Sequence, residues 1–135
     1  MANVIYPKYK EALLNGDSNI ELDGSNVKVI LVDLADYTYS SSHQFLSDVA
    51  GGAIVATSGN LGSKTTTNGV FDSADPTFTA VTGDPSEALI IYIDTGSSAT
   101  SRLVALYDTG VTGLPVTPNG GDINVAVNAS GWFAL

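Results

Sequence analysis

Two apolar runs close together in the sequence, at residues 88–93 and 103–107, constrain the fold of this chain more than any other feature. Both runs are rich in β-branched, leucine and aromatic residues, and a short polar loop that includes residues 96–101 lies between them. Such runs on either side of a turn-forming loop predict two strands of one hairpin with a surface facing the core. We therefore expect a β-dominated chain.

The composition predicts a single sheet-rich domain that folds by itself. The chain has 135 residues, of which 44% are apolar and 14% are charged, and its 14 glycines indicate many tight turns. A chain of this length buries about two-thirds of the surface that its unfolded form exposes. Cysteine is absent, which excludes disulfides, thiolate metal sites and cysteine nucleophiles, so that stability must come from packing or oligomer contacts.

The net charge of −9 narrows the classes of partner. An acidic body repels phosphate, so we expect no nucleic-acid binding.

The longest apolar run, residues 88–93, is far shorter than the ~20 residues of a membrane-spanning helix. Residues 1–8 lack the charged head and long apolar stretch of a signal peptide. We expect a protein that binds no membrane and is made in the cytoplasm.

The N-terminal segment predicts a short helix. Pro7 suits the first turn, Gly16 suits the end, and Tyr9, Ala12 and Leu13 fall on one side. Residues 1–16 are also distinct in charge, since they hold two of the five basic residues of an otherwise acidic chain. This distribution fits an N-terminal arm that reaches an acidic neighbour, and it fits a solvated helix face equally well.

The rest of the chain predicts short strands separated by turns. Ser42 is placed to cap a second short helix over residues 43–49. Asn68-Gly69 is the dipeptide that best tolerates the positive φ angles of a type I′ turn. The further predicted strands lie at residues 27–32, 54–57, 77–81 and 123–128. Eight or so strands predict a mainly β, single-domain antiparallel β-sandwich over residues 1–135, jelly-roll-like, with one or two short helices.

Residues 93–98, Ile-Asp-Thr-Gly-Ser-Ser, resemble the active-site signature of pepsin-like aspartic proteases. In that family two such aspartates share a proton and activate a water. Asp108-Thr109-Gly110 would supply the second motif, but one strand and its turn separate it from Asp94, so both would occupy the same hairpin. We therefore interpret these residues as turn residues, with an aspartic protease that uses Asp94 as a remote alternative.

Other candidate sites have equally simple interpretations. His43 is the only histidine, which argues for a surface residue at the start of a helix and against a histidine-rich metal cluster. The carboxylates of Asp72 and Asp75 would suit a cation, but the regular calcium-loop spacing is missing and turn chemistry explains them equally well. We expect no catalytic, metal or cofactor site.

Beyond these motifs, nearly the whole chain resembles small proteins encoded among tailed-bacteriophage structural genes. The resemblance lies in residues 2–10, 12–14, 27–33, 37–39, 43–48, 68–72, 77–81, 87–96 and 113–123. The best interpretation of that family is a capsid cement, or decoration, protein, which is not an enzyme. The resemblance implies a protein on the outer capsid surface of the virion that bridges neighbouring subunits of the major capsid protein and assembles with itself as a homotrimer.

Two sets of contacts follow as hypotheses. The N-terminal residues would contact the capsid through Val4, Ile5, Tyr6, Lys8 and Lys10. The contacts within the oligomer would involve two tyrosines in the first half of the chain and the apolar C-terminus, namely Tyr37, Tyr39, Trp132, Phe133 and Leu135. A tail or head-fibre component that binds a host surface or another virion protein, through exposed loops at residues 96–101 and 112–121, is the alternative function.

Overall fold

The computed structural model describes residues 3–24 and 26–135. The chain is mainly β, with 31% of its residues in strands and 14% in helices. Its strands are β1 (Val4–Ile5), β2 (Asn26–Val32), β3 (Ile54–Thr57), β4 (Val70–Phe71), β5 (Thr77–Phe78), β6 (Ala88–Asp94), β7 (Arg102–Tyr107), β8 (Ile123–Asn124) and β9 (Phe133–Ala134). The α-helix is α1 (Pro7–Asn15), and short 3₁₀ turns lie at Leu46–Asp48, Gly51–Ala53 and Thr67–Gly69.

Five strands form one antiparallel sheet in the order β1-β7-β6-β2-β3. The hairpin predicted from the two apolar runs is confirmed as β6 and β7, in which Leu89 pairs with Tyr107 and Ile93 with Arg102. All residues from 88 to 93 are buried. Because successive side chains of a strand point to opposite faces, both faces of the sheet must be covered at this strand.

A single apolar cluster unites this sheet with the surrounding elements and gives a small β-sandwich-like domain, as the sequence predicts. The cluster contains Tyr9 of α1, Ile90 of the sheet, and Phe71 and Phe78 of two smaller ribbons. One ribbon pairs β4 with β9, and the other pairs β5 with β8. The C-terminal strand therefore belongs to the body of the domain.

Helix α1 begins and ends as predicted. Pro7 lies in the first helical turn, where a backbone N–H would have no acceptor within the helix, so the N–H that proline lacks is not needed there. Gly16 ends the helix with a φ of 68°. Tyr9 and Ala12 are buried on the predicted side. The helix therefore lies on the sheet as an amphipathic element, next to β7.

Strand β1 attaches the N-terminal segment to the sheet. Val4 and Ile5 pair with β7, and the Tyr6 N–H donates to the Val104 carbonyl at 2.9 Å. Residues 3–15 are thus an edge strand and a helix of the domain, and within the described residues the predicted arm does not project from the body. Residues 1 and 2 lie outside the described residues.

The type I′ turn is confirmed at Asn68-Gly69. Asn68 has φ 55° and ψ 29°, Gly69 has φ 78°, and the Val70 N–H donates to the Thr67 carbonyl across the turn. Positive φ at two successive positions is what the dipeptide tolerates best. The turn leads directly into β4, which pairs with the C-terminal strand.

The predicted helix over residues 43–49 is wrong. Only Leu46–Asp48 forms a 3₁₀ turn. The N–H groups of Leu46 and Ser47 donate at 2.8 and 3.0 Å to carbonyls of the loop between β6 and β7. These backbone hydrogen bonds hold the segment against the loop and the start of β7, so tertiary contacts replace the local helical bonds.

Two predicted strands are shorter than expected. Strand β5 ends at Phe78, because Ala80 has a left-handed φ of 49° and its N–H donates to Asp122 Oδ1 at 2.9 Å. In the predicted strand at residues 123–128, only the first two residues form β8. The predicted alternation persists through Val125, which is buried next to exposed neighbours.

Candidate docking site

The two Asp-Thr-Gly motifs lie at opposite ends of the β6–β7 hairpin. Asp94 ends β6 beside the connecting loop, whereas Asp108 follows β7 at the other end. At ~3.3 Å per strand residue, the length of the hairpin separates them by about 20 Å. A shared proton requires two carboxylates about 3 Å apart. One chain therefore brings no such aspartate pair together.

Asp94 has the turn role that the sequence predicts. Its Oδ1 accepts the Gly96 N–H at 2.9 Å, and its Oδ2 lies 2.7 Å from Lys28 Nζ. The hydrogen bond from Lys28, with that from Gly96, holds the pKa of the Asp94 carboxyl below its usual value. An aspartate so paired is ionised and stabilises the loop.

The carboxylates of Asp72 and Asp75 also accept backbone hydrogen bonds. Asp72 Oδ1 accepts the Ser73 N–H, and Asp75 Oδ1 accepts the Val127 N–H, each at 2.8 Å. The second contact ties the segment before β5 to the segment after β8. Asp72 also pairs with Thr65 in an isolated β-bridge, so both carboxylates have structural roles, and that of Asp75 is a long-range contact rather than a local turn.

A further acidic cluster, which the sequence did not predict, joins Asp33, Asp36 and Asp84. Carboxylate oxygens of all three lie within 4.8 Å of one another. Asp33 is buried, and its Oδ1 accepts the Ala35 N–H at 2.9 Å. The other two are exposed, as acidic groups commonly are without a cation. The turn hydrogen bond accounts for the buried member of the cluster.

A chain of buried hydroxyl groups connects the predicted aromatic contacts to the histidine. The Tyr37 hydroxyl lies 2.9 Å from that of Tyr6 and 2.7 Å from His43 Nδ1. Tyr6 and Tyr37 are buried, and burial raises the pKa of both hydroxyls. Tyr39 is half-buried, with its ring centre 5.5 Å from that of Tyr6. Tyr37 is therefore a core residue, and His43 is a half-buried hydrogen-bonding residue rather than the start of a helix.

The five residues predicted to contact the capsid have different environments. In chain order, they are Val4 and Ile5, half-buried in β1, Tyr6, fully buried, Lys8, half-buried on α1, and Lys10, exposed on α1. Lys8 Nζ lies 3.1 Å from Glu11 Oε2 on the same helix. Since the Tyr6 side chain has no exposed surface, this residue is wrong as a surface contact.

An open apolar groove of about 300 Å³ lies between α1 and the β4–β9 ribbon. Its apolar walls consist of Tyr9 and Leu13 of α1, Ile20 and Leu22 of the following loop, and Phe71, Phe133 and Leu135 of the ribbon and C-terminus. Glu21 and Asp23 also line it. We call this feature the α1–ribbon groove.

Hydrogen bonds and ring contacts hold the walls of the α1–ribbon groove in place. The Tyr9 hydroxyl donates to the Ile20 carbonyl at 2.8 Å and fastens the loop to the helix. Burial raises the pKa of Tyr9 to about 12, against a smaller opposing effect of Arg102, so the hydroxyl stays a neutral donor at pH 7. In the opposite wall, the rings of the paired residues Phe71 and Phe133 have their centres 5.7 Å apart. The groove is therefore a preformed feature of the fold.

One of the most exposed apolar side chains lies at this groove. Among the described residues, Leu14 and Leu135 are the large apolar side chains that are strongly exposed, at 89% and 68%. Leu135 lines the groove, whereas Leu14 lies on α1 and is not among the groove residues. An exposed leucine beside the apolar walls of an open groove is typical of an interaction site.

The C-terminal residues predicted to form an oligomer contact divide between core and surface. Trp132 is buried, with Nε1 donating to Ser73 Oγ at 2.8 Å and its carbonyl accepting the Tyr107 hydroxyl at 2.6 Å. Phe133 is half-buried and Leu135 is exposed. The last residues therefore pack partly in the core, as expected, and leave Leu135 available to a partner.

No protein-family model matches the chain, and no curated protein matches it. In the part of the chain that the structure describes, no helix has the length and apolar character needed to cross a membrane.

Proposed function

We propose that this protein is a non-enzymatic capsid decoration protein of a tailed bacteriophage, which binds the outer surface of the head and bridges neighbouring major-capsid subunits. The α1–ribbon groove is the observation that carries the proposal, since it offers preformed apolar surface on an otherwise polar, acidic body. The near end-to-end resemblance to small phage structural proteins supplies the virion context.

The fold supports a role in adhesion. A well-packed core holds the groove walls, so little conformational entropy is lost when a partner docks. A homotrimer would present several grooves to the shell at once, and the linked contacts would raise the effective concentration of each weak one. The negative body suits a position outside the head, where it meets no packaged DNA.

The position of the basic residues agrees with contact near α1. Lys10 is exposed and Lys8 is half-buried on the helix that supplies Tyr9 and Leu13 to the groove. Lys8→Gln with Lys10→Gln tests this contribution without disturbing β1. Deleting residues 2–10 would instead remove β1 and the first turn of the helix, so loss of binding would then reflect unfolding.

The deciding experiment measures this protein on purified heads by electron microscopy and by quantitative mass spectrometry. We expect copies over the whole icosahedral shell, a marked loss of occupancy with Leu135→Ser, and near-normal occupancy with Leu14→Ser, an exposed leucine that does not line the groove. Heads that lack the protein should rupture at lower temperature than complete heads. Copies absent from the shell, or equal survival of both kinds of head, would contradict the proposal.

A tail or head-fibre component is the second candidate. The loop between β6 and β7 favours it, because residues 95–100 are all exposed and would be accessible to a host surface or another virion protein. Electron microscopy separates the two functions, since density only on the tail or at vertices means the fibre role.

A further inference from the structure

The α1–ribbon groove has a one-sided charge. Glu21 and Asp23 line it and are exposed, and no lysine, arginine or histidine is among its described lining residues. Neither carboxylate forms an ion pair or hydrogen bond within residues 3–24 and 26–135. Two unpaired carboxylates beside an apolar floor therefore favour a cationic partner with an apolar side chain.

We infer that the groove binds a segment of the major capsid protein in which one or two apolar side chains stand next to a lysine or arginine. This inference rests on the proposed function and names the chemistry of the partner at that site. The apolar side chain enters between Leu13 and Phe133, and the cation meets Glu21 and Asp23 at the rim.

The size of the groove limits what it holds. A volume of about 300 Å³ lies at the lower end of the range for sites that bind small molecules. The groove is also open to solvent rather than enclosed, so a short extended segment or one turn of a helix fits it better than a whole secondary-structure element. Such a contact is weak by itself, which suits a protein that binds through several copies.

A second copy of this chain is a poor occupant by charge. The chain carries 14 acidic and five basic residues, and Lys8 and Lys28 are already paired with Glu11 and Asp94. Lys64 donates to Asn60 Oδ1 and to the Leu61 carbonyl. Arg102 is buried, which leaves Lys10 as the exposed basic residue with no partner among the described residues, so a second copy offers one free cation to the two carboxylates of the groove.

The test uses the full chain and two blocked hexapeptides as probes, one of alternating leucine and lysine and one of alternating leucine and glutamate. Binding is followed by NMR chemical-shift changes at Leu13, Phe133 and Leu135, in low and in physiological salt. Glu21→Gln with Asp23→Asn is the test variant. Asp36→Asn with Asp84→Asn is the matched control, since it changes the net charge equally at exposed carboxylates outside the groove.

We expect the lysine peptide to shift the groove resonances, and its affinity to fall at least fivefold in the test variant but less than twofold in the control. Equal weakening in both variants, equal binding of the glutamate peptide, or shifts mapped elsewhere would overturn the inference. Concentration-dependent dimerisation that Leu135→Ser abolishes would also overturn it, because a second copy would then be the occupant.

The two proposals fail separately. If the protein covers purified heads but no basic peptide enters the groove, the partner chemistry is wrong and the decoration function stands. If the peptide binds as described but heads carry no copies, the decoration function is wrong and the groove retains its specificity for an apolar, basic segment.

Discussion

Lys28 of β2 and Asp94 of β6 form an ion pair on neighbouring strands, with Nζ 2.7 Å from Oδ2. The side chains are 29% and 21% exposed, so solvent screens the pair only partly. The other carboxylate oxygen accepts the Gly96 N–H at the start of the hairpin loop. A residue that resembles a catalytic aspartate in sequence therefore fastens two strands and a turn.

Asp94→Asn should lower the free energy of unfolding by about 0.5–1 kcal/mol, because the ion pair is lost while an acceptor for Gly96 remains. Asp94→Ala should lower it by about 1–2 kcal/mol, since the Gly96 N–H then loses its partner too. Urea unfolding at pH 7 measures both. A double-mutant cycle with Lys28→Met should give a coupling of about 0.5–1 kcal/mol, and additive effects would contradict the pairing.

Stability should decline in acid through two carboxyls with lowered pKa values. Asp48 Oδ2 accepts hydrogen bonds from the Gln44 and Phe45 N–H groups, and the bond from Gln44 is the larger cause of its lowered pKa. The pKa of Asp94 is lowered mainly by the hydrogen bond from Lys28. An aspartate whose pKa is lower in the folded state than in the unfolded state stabilises the fold when it is ionised. This stabilisation is fully present above the unfolded pKa, about 3.9 for Asp, and is lost as the pH falls through the folded pKa. We therefore expect the urea concentration at the unfolding midpoint, measured from pH 7 to pH 2, to decrease once the pH is below about 4.

The control for this acid dependence is the double variant Asp48→Asn with Asp94→Asn, which removes both titrating groups. Its stability should be lower at pH 7 and should fall less steeply below about pH 4 than that of the parent chain. Parallel pH curves for the two proteins would show that other carboxyls cause the acid loss.

Local signals account for the parts of the fold that the sequence predicts correctly. The β6–β7 hairpin, helix α1 between Pro7 and Gly16, and the Asn68-Gly69 turn each depend on residues within one short window. The helix predicted at residues 43–49 fails for the opposite reason. The Leu46 and Ser47 N–H groups bond to carbonyls about fifty residues away in the sequence, and no periodicity in the segment indicates that contact.

The α1–ribbon groove was beyond sequence reasoning for the same reason. Its walls come from the N-terminal helix, the loop around Leu22, the strand at Phe71 and the C-terminus at Leu135, which come together only in the folded chain. The apolar C-terminus was the one signal available in the sequence. It indicated a contact surface at that end of the chain but not which other segments form the walls of the groove. The burial of Tyr6 and Tyr37 was also not predictable from the sequence. The local pattern around an aromatic residue in a polar stretch is the same whether its side chain faces solvent or the core.

Tyr37→Phe should cost about 1–3 kcal/mol in the free energy of unfolding, because it leaves the buried Tyr6 hydroxyl without its hydrogen-bond partner. Tyr39→Phe is the matched control: the Tyr39 hydroxyl has no hydrogen bond within the described residues, so its removal should change stability by less than about 0.5 kcal/mol. Thermal unfolding followed by circular dichroism compares them. Equal effects would contradict the buried hydroxyl chain.

Arg102 is the chain's single arginine, and it is buried next to the Phe45 ring, with its guanidinium carbon 5.3 Å from the ring centre. Nη2 donates to the Ser18 carbonyl at 3.0 Å, while Nε and Nη1 have no partner in the described structure. A buried cation without a counter-charge is unfavourable, so Arg102→Met should leave stability within about 1 kcal/mol of the parent or raise it.

Arg102→Lys keeps the charge but loses the planar contact with Phe45, and it should lower stability by about 1–3 kcal/mol. Guanidinium chloride unfolding of the two variants at equal pH and salt measures the difference. If the methionine variant is the less stable of the two, the buried positive charge itself stabilises the fold, which would contradict the prediction.

Trp132→Phe should lower the free energy of unfolding by about 1–3 kcal/mol, because it leaves the buried Ser73 hydroxyl without the indole donor and removes part of the contact with Tyr107, whose ring centre lies 5.6 Å away. Hydrogen exchange at the backbone N–H of residues 132 and 135, which donate to Phe71 and Gly69, should accelerate with it. Ser73→Ala isolates the hydrogen bond from the ring contact and should lower stability by less than Trp132→Phe. Faster exchange confined to these amides would show that the C-terminal strand opens locally. Unchanged exchange there, with unchanged stability, would mean that Trp132 does not hold the ribbon wall of the α1–ribbon groove.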